Sequence, residues 1–263
     1  MCSGSAHLPS GDHKGIVSDS KRITDDIFSV SIICPQIARH SLPGQFIMLR
    51  LPGRTDPLLG RPFAIAGCSG DIFTVIFKVV GKMTGLLASV MSGQEISVRG
   101  PVGNSFGELS CKTIFLVAGT LGAAPLLFAQ SSLGETTNSR FILGVPDKTW
   151  IPYVEWIRGK VPHMNVFSED GSTGSKGNVL AGLPRELPDN SELWVCGPLP
   201  MMSAICKRFS ESSERILVSL EKRMACGMGG CLGCVIDTTF GKRRVCVDGP
   251  VFRGSEVCWD ELS

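Results

Sequence analysis

The chain has 263 residues, with 26 Lys or Arg against 24 Asp or Glu and a formal net charge of +2, so charge supplies no footprint for nucleic acid or for an anionic membrane surface. At this length two domains plus an appendage are expected rather than one core, and a hydrophobic content of 43% is ample to fill them. The 11 cysteines, an odd number, point to thiols used for ligation in a reducing cytoplasm rather than to a disulfide framework.

Residues 1–15, MCSGSAHLPSGDHKG, have no apolar stretch behind a basic start, so a frayed lead is expected there rather than a secretory signal. From about residue 15 to 102 the text alternates in the manner of short strands, with QFIMLRL and DIFTVIFKVV set between Pro and Gly punctuation. That pattern predicts a small antiparallel barrel. Two stretches interrupt it. RPFA at 61–64 joins a guanidinium on Arg61, able to fork onto a diphosphate, to Pro62, which stiffens the strand presenting it. Such an Arg-Pro pair also serves purely structural ends. At 81–91, GKMTGLLASVM reads as a turn feeding a short helix, where Gly81 and Thr84 precede free N–H groups that could hold the same diphosphate.

From about residue 111 apolar runs alternate with helical segments, as in TIFLVAG, APLLFAQSS, RFILGV and ELWVCG, which is the rhythm of a parallel sheet covered on both faces. The uncharged run at 113–134 is the one membrane-span candidate, and its Gly119, Gly122 and Pro125 divide it into a strand-like and a helix-like half. VAGTLGAAPL at 117–126 has the strand-to-helix setting of a dinucleotide turn, although Gly119 and Gly122 are closer than in G-x-G-x-x-G and any tight turn in such a domain looks similar. CGPLPMM at 196–202 also leaves a strand and sets Cys196 at the carboxyl edge of the sheet, where a plain core thiol is the alternative. The expected partition is 1–108 for the barrel, 109–218 for the α/β domain and 219–263 for a small module that needs a staple to fold.

That staple is written in CGMGGCLGC at 226–234, followed by Cys246. The spacing Cys-x4-Cys-x2-Cys-x11-Cys is the plant-type pattern for a 2Fe–2S cluster. A structural zinc site more often carries two C-x2-C knuckles, and only one occurs here. The interleaved glycines let the loop bring its amides close to the sulfurs. Lys222, Arg223, Lys242, Arg243 and Arg244 stand nearby, either to tune the cluster and dock a partner or as a solvated basic face. A one-electron centre needs a redox partner, so a flavin is expected in the rest of the chain.

Taken in order, RPFAIAG, VVGKMT, GPVGNSF, VAGTLGAAPL, SEDGSTGSKGNV, CGPLPMM, CGMGGCLGC and VCVDGPVF give a chain that resembles the ferredoxin-reductase-like flavoproteins and, among them, the electron-transfer subunits of class 1B dihydroorotate dehydrogenases. The resemblance runs from about residue 15 to 255. It implies an FAD-binding barrel, an NAD-binding Rossmann-like domain, a 2Fe–2S module and a separate FMN-containing catalytic subunit, two copies of each, with electrons passing from dihydroorotate through FMN, cluster and FAD to NAD⁺ in pyrimidine biosynthesis. It further implies that Arg61, Pro62, Phe63, Ala64, Lys78, Val79, Val80, Gly81, Met83, Thr84 and Gly85 surround FAD. Gly119, Thr120, Leu121, Gly122 and Ala123 would receive the nicotinamide nucleotide, with Cys196, Gly197 and Pro198 near the nicotinamide. Cys226, Cys231, Cys234 and Cys246 would hold the cluster.

Three positions depart from the pattern: Ala64 lacks the hydroxyl expected against the flavin edge, Met83 replaces a glycine and would crowd the diphosphate, and Thr120 brings a side chain towards the nucleotide phosphates. The loop at 143–150, LGVPDKTW, offers no arginine for a 2′-phosphate, which favours NAD over NADP. The same cofactors could serve a sulfide dehydrogenase, a bifurcating ferredoxin reductase or a hydrogenase, and a zinc-stapled nucleotide sensor on the same scaffold is the non-catalytic alternative. No Ser-His-Asp set or HExxH motif suggests hydrolysis.

Overall fold

Between residues 12 and 102, β-branched and aromatic residues at every second position form strands with one buried face. These are β1 (Asp12–Arg22), β2 (Ile27–Ile33), β3 (Phe46–Arg50), β4 (Arg61–Ser69), β5 (Ile72–Lys78) and β6 (Glu95–Val102). They pair in the order β1-β2-β5-β4-β3-β6, and β6 returns to β1 to close the barrel, with Asp12 opposite Arg99 and Ile16 opposite Glu95. Val30, Ile47, Ile65, Phe73 and Val98 fill it, and α1 (Pro35–Ala38) and α2 (Lys82–Leu87) plug its ends with Ile37, Met83 and Leu87. The computed structural model describes residues 11–108, 111–134 and 136–262.

The second layer is a seven-stranded sheet. Its strands are β7 (Thr113–Gly119), β8 (Asn138–Val145), β9 (Asn165–Ser168), β10 (Ser175–Lys176), β11 (Ser191–Cys196) and β12 (Ile216–Ser219), all parallel, in the order β10-β9-β8-β7-β11-β12. Because helices cover both faces, β7 reads as an unbroken apolar run, TIFLVAG, with Ile114 to Gly119 all buried. α3 (Ala123–Ser132) and α4 (Ile151–Arg158) pack on one face and α5 (Leu199–Arg208) on the other. Among the described residues no helix is long and apolar enough to cross a membrane, and the 113–134 run is indeed a strand and a helix joined at Gly119 to Gly122.

The C-terminal segment adds the hairpin β13 (Val235–Thr238) and β14 (Gly241–Arg244), then β15 (Val251–Arg253). β15 lies antiparallel on β12, with Ser219 opposite Val251, so residues 219–262 are stitched to the sheet edge rather than set apart from it. The barrel joins the same seam. Asn104 donates from Nδ2 to the Val251 carbonyl at 2.8 Å and to the Asp248 carbonyl at 3.2 Å, while its Oδ1 accepts from Val251 N at 2.9 Å. Phe106 then stacks on Trp194 of β11, ring centroids 4.6 Å apart and 5° from parallel. Ile27 and Ile76 of the barrel share a core with α3 and α4, which fixes the two layers against each other.

Replacing Asn104 by Ala removes all three side-chain hydrogen bonds of this seam and leaves half-buried backbone groups unpaired. The expected cost is about 1–3 kcal/mol, seen as a lower melting temperature of the holoprotein.

Candidate cofactor sites

Where the barrel faces the carboxyl edge of the parallel sheet, the usual ligand position in such folds, lies a cavity of about 900 Å³. Its barrel wall is Arg61, Pro62, Phe63 and Ala64 of β4, Lys78 at the end of β5, and Val80, Gly81, Met83 and Thr84 leading into α2. Leu121, Ala124, Pro125 and Cys196 come from the sheet side, and Ser219 through Met224 close the third side. Val79 and Gly85 are not part of the lining.

Each barrel residue has a local reason for its place. The Arg61 guanidinium, half-buried at the cavity, donates Nη1 to the carbonyls of Leu59 (2.9 Å) and Gly60 (3.2 Å), which orients it at the head of β4. Phe63 meets Phe77 edge-on at 5.6 Å. Lys78 pairs with Asp26 at 3.1 Å and lies 5.3 Å above the Trp150 ring, linking the barrel to the sheet domain. The Thr84 hydroxyl accepts from Val80 N (2.9 Å) and Gly81 N (3.1 Å) and donates to the Gly81 carbonyl, so it shapes the turn and leaves the first-turn amides of α2 to face the cavity.

Two expected departures take a different meaning. The Met83 side chain is 4% exposed and packs with the barrel core, although the residue also borders the cavity. Ala64 packs with Ala66 against the core that includes Ala123 and Ala124, so a small side chain there admits α3 close to β4.

The nucleotide turn is also differently employed. A Cβ on Gly122 would lie 2.2 Å from the Cys196 carbonyl oxygen, so this glycine is required by backbone contact between the two strand-end turns. Gly197 and Pro198 pack against Gly119 in the same contact. Of the five turn residues only Leu121 lines the cavity; Gly122 and Ala123 are buried against the sheet. Thr120 stands off the cavity in the left-handed region, φ +50°, unusual for a β-branched residue, and its carbonyl accepts from the buried Tyr153 hydroxyl at 3.2 Å. Cys196 is buried between the two sites, and burial together with the neighbouring Glu221 charge pushes its thiol far up. A thiol held neutral in that way is a packing and hydrogen-bonding group rather than a nucleophile.

The four cluster cysteines come together as two pairs, Cys226 with Cys231 and Cys234 with Cys246. Met228 N and Cys231 N each donate to Cys226 Sγ at 3.4 Å, and Gly233 N donates to Cys231 Sγ at 3.4 Å. The Met228 amide, with that of Cys231, holds the Cys226 thiol down to about 6, whereas burial raises Cys246 to about 12. Gly227, at φ +67°, lets the loop lie on Met48 of β3, where a Cβ would meet Met48 Cγ at 2.7 Å. Arg99 Nη1 donates to the Cys226 carbonyl at 3.4 Å and Arg244 Nη1 to that of Gly229 at 3.4 Å, so Arg244 braces the loop. Among the described residues no three Cys, His, Asp or Glu side chains converge on one ion. Two thiol pairs with amides aimed at the sulfurs fit a two-iron cluster. Met228 and Leu232 stay 59% and 61% exposed at the rim and do not cover the loop.

For a flavin dinucleotide the fit rests on volume and charge. Arg61, Lys78, Lys82, Lys222 and Arg223 face the cavity, and the only carboxyl in its lining is Glu221. Sequence reasoning missed Glu221, which in the string EKR reads as an ordinary solvated charge.

Comparison with known proteins agrees with this geometry. Residues 221–258 match the family model described as the iron–sulfur cluster binding domain of dihydroorotate dehydrogenase B. A protein of Clostridium acetobutylicum named dihydroorotate dehydrogenase B (NAD(+)), electron transfer subunit, is 35% identical over 92% of this chain and 95% of its own length. One of the same name from Lysinibacillus sphaericus is 35% identical over 90% of this chain and 94% of its own. Among solved structures, an NADH-dependent reduced ferredoxin-NADP oxidoreductase studied for flavin-based electron bifurcation is 29% identical, with a TM-score of 0.82 over 96% of this chain and 92% of that one. A ferredoxin NADP⁺ reductase of Neisseria gonorrhoeae with bound FAD and NADP shares the fold at 14% identity, with a TM-score of 0.63 over 79% of this chain and 97% of that one.

Thr120→Gly relieves the left-handed strain without touching the cavity, and the expected result is a gain of about 1 kcal/mol in stability with unchanged flavin content, read by thermal unfolding and absorbance. Cys246→Ser removes one of the Cys234–Cys246 pair, and iron is expected to fall well below the about two atoms per chain of an intact cluster, by metal analysis.

Proposed function

The chain belongs to the family of dihydroorotate dehydrogenase B electron transfer subunits, and we propose on that footing that it carries electrons between NAD and an FMN-containing catalytic subunit by way of FAD in the cavity and a 2Fe–2S cluster on Cys226, Cys231, Cys234 and Cys246. The observation that carries this reading is the course of residues 219–226. Ser219 to Met224 line the flavin cavity, and two residues later Cys226 enters the cluster set. Leu59 stands between the two, lining both the flavin cavity and a second one of about 360 Å³ beside Ala225 and Cys226.

FAD, when bound, supplies a group that exchanges electrons singly or in pairs. The protein's own part is placement. Arg61 and the first-turn amides of α2 hold the diphosphate, Phe63 and the chain at Lys78 and Val80 bound the ring system, and Leu121, Pro125 and Cys196 keep water from the side that meets the nicotinamide. The amides of Met228 and Cys231 favour the thiolate of Cys226.

Acidic residues in the loops that follow β8 and β9 support NAD over NADP. Asp147 accepts from Thr149 N at 2.8 Å and Asp170 from Lys148 N at 3.2 Å, so carboxylates stand in the loops that would meet the adenosine end. Dihydroorotate as the electron source, a two-plus-two assembly and a cytoplasmic setting complete the proposal. A second reading, service to a bifurcating ferredoxin reductase, is favoured by the similarity of the oxidoreductase structure over almost the whole chain. Copurification with an FMN-containing catalytic subunit supports the first; copurification with another flavoprotein supports the second.

The test is an anaerobic visible spectrum with flavin, iron and sulfide measured on one sample, then titration with NADH. About one flavin to two irons, with both chromophores bleaching, is expected. Iron without flavin, or no response to NADH, contradicts the proposal.

A further inference from the structure

An iron–sulfur cluster that accepts one electron gains one unit of negative charge and takes up no proton, so fixed charge beside its ligands bears directly on its reduction potential. Several charges around the thiol segment are answered locally. Lys242 pairs with Asp237 at 2.8 Å on the hairpin, and Asp248 Oδ2 accepts from Arg244 N at 2.7 Å and from its Nε at 3.3 Å. Lys222 and Arg223 belong to the flavin cavity. Where the thiol loop lies against the barrel the sum is different.

The outer face of β1, β6 and β3 forms that contact. Strand alternation sends Ile47, Leu49, Ile96 and Val98 into the barrel, each fully buried, and leaves Met48, Arg50, Ser97 and Arg99 on the outside. Register then sets Asp12, Arg99 and Met48 in one row, with Ser97 opposite Arg50 beside it. The loop rests on this face at Gly227, over Met48. Arg99 Nε and Nη2 both lie 2.7 Å from Asp12 Oδ1, and Nη1 of the same guanidinium donates to the carbonyl of the first cluster thiol residue, Cys226, at 3.4 Å. Asp12 Oδ2 accepts from Ser97 Oγ at 3.2 Å and from Arg50 Nη2 at 3.4 Å. One carboxylate thus serves two guanidiniums, and the group keeps one unit of positive charge in excess. Asp12, Arg50 and Arg99 line the cavity of about 360 Å³ that also holds Cys226, with Leu59 between it and the flavin cavity. The Arg99 and Asp12 side chains are 36% and 30% exposed, so solvent weakens their field at the loop without abolishing it.

We propose that Arg99, oriented by Asp12 and with Arg50 alongside, sets the reduction potential of the cluster from the barrel side, the excess positive charge favouring the reduced form. The inference rests on the cluster reading above. The step it governs is the transfer of one electron, with no bond made or broken and no proton moved. Arg99 acts through the Cys226 backbone and touches no reacting atom, which makes it a positioning residue.

The test is a redox titration of the holoprotein, with the cluster followed by its paramagnetic resonance signal on reduction and the flavin by absorbance, in samples whose iron and flavin contents equal wild type. Arg99→Gln keeps a donor for the Cys226 carbonyl and loses the charge. At the wild-type cluster midpoint it is expected to lower the ratio of reduced to oxidised cluster about tenfold, a shift of about 59 mV downwards for one electron. Asp12→Asn leaves both guanidiniums unanswered and is expected to raise that ratio about tenfold. Arg99→Lys retains the charge and is expected to stay within about threefold of wild type, as is the flavin ratio in every variant. A loosened loop would not shift the cluster in opposite directions. Where Arg99→Gln fails to hold iron, Arg50→Gln removes the same unit of charge without touching the Cys226 carbonyl, and a fall of about threefold is expected; no fall there overturns the proposal. Shifts of one sign in Arg99→Gln and Asp12→Asn, or ratios within about twofold of wild type in both, also overturn it. A wild-type holoprotein that shows no two-iron signal on reduction overturns the cluster reading, and this inference with it.

Discussion

Asn104 binds the exit of the barrel to the start of β15, and both cofactor sites hang on that tie. Its amide uses a donor and an acceptor on the same residue, Val251, which mimics a strand pairing where no strand exists. β15 in turn pairs with β12, so the tie passes directly into the parallel sheet. The segment that leaves β12 runs along the cavity and ends at the first cluster thiol. If the seam opened, the barrel wall carrying Arg61 and the sheet edge carrying Cys196 would separate, and Gly227 would lose its seat on Met48.

The charge pattern of the site follows from the same arrangement. Cations from the barrel and from the connecting segment converge on one cavity, which suits a diphosphate. The cluster loop solves the opposite problem. Its sulfurs carry negative charge, and backbone amides turned towards them by a tight loop balance it without spending side chains. Leu232 accepts a left-handed backbone, φ +58°, as part of that turning, between Cys231 and Cys234.

Much of this was legible in the sequence, for reasons that differ by element. The iron–sulfur segment was, because four thiols at fixed spacing on one segment leave few alternatives. The barrel and the parallel sheet were, because their hydrophobic periods differ. The glycine turn at 119–122 was seen, and the structure adds that Gly122 is also required by the close Cys196 backbone. Met83 was read as crowding a ligand and Ala64 as a missing hydroxyl; the fold adds that one packs with the barrel core and the other beside a neighbouring helix. Glu221 could not be found from its neighbours, because nothing in the string EKR tells which charge borders the cavity.

The central claim is that flavin and cluster sites form one conducting unit along residues 219–226. Rapid mixing of anaerobic holoprotein with NADH, following the flavin and cluster bands separately, tests it most directly. Cluster bleaching that follows flavin bleaching at a rate independent of protein concentration is the predicted result. A cluster rate that rises in proportion to protein concentration, or that appears only with an added mediator, would contradict it.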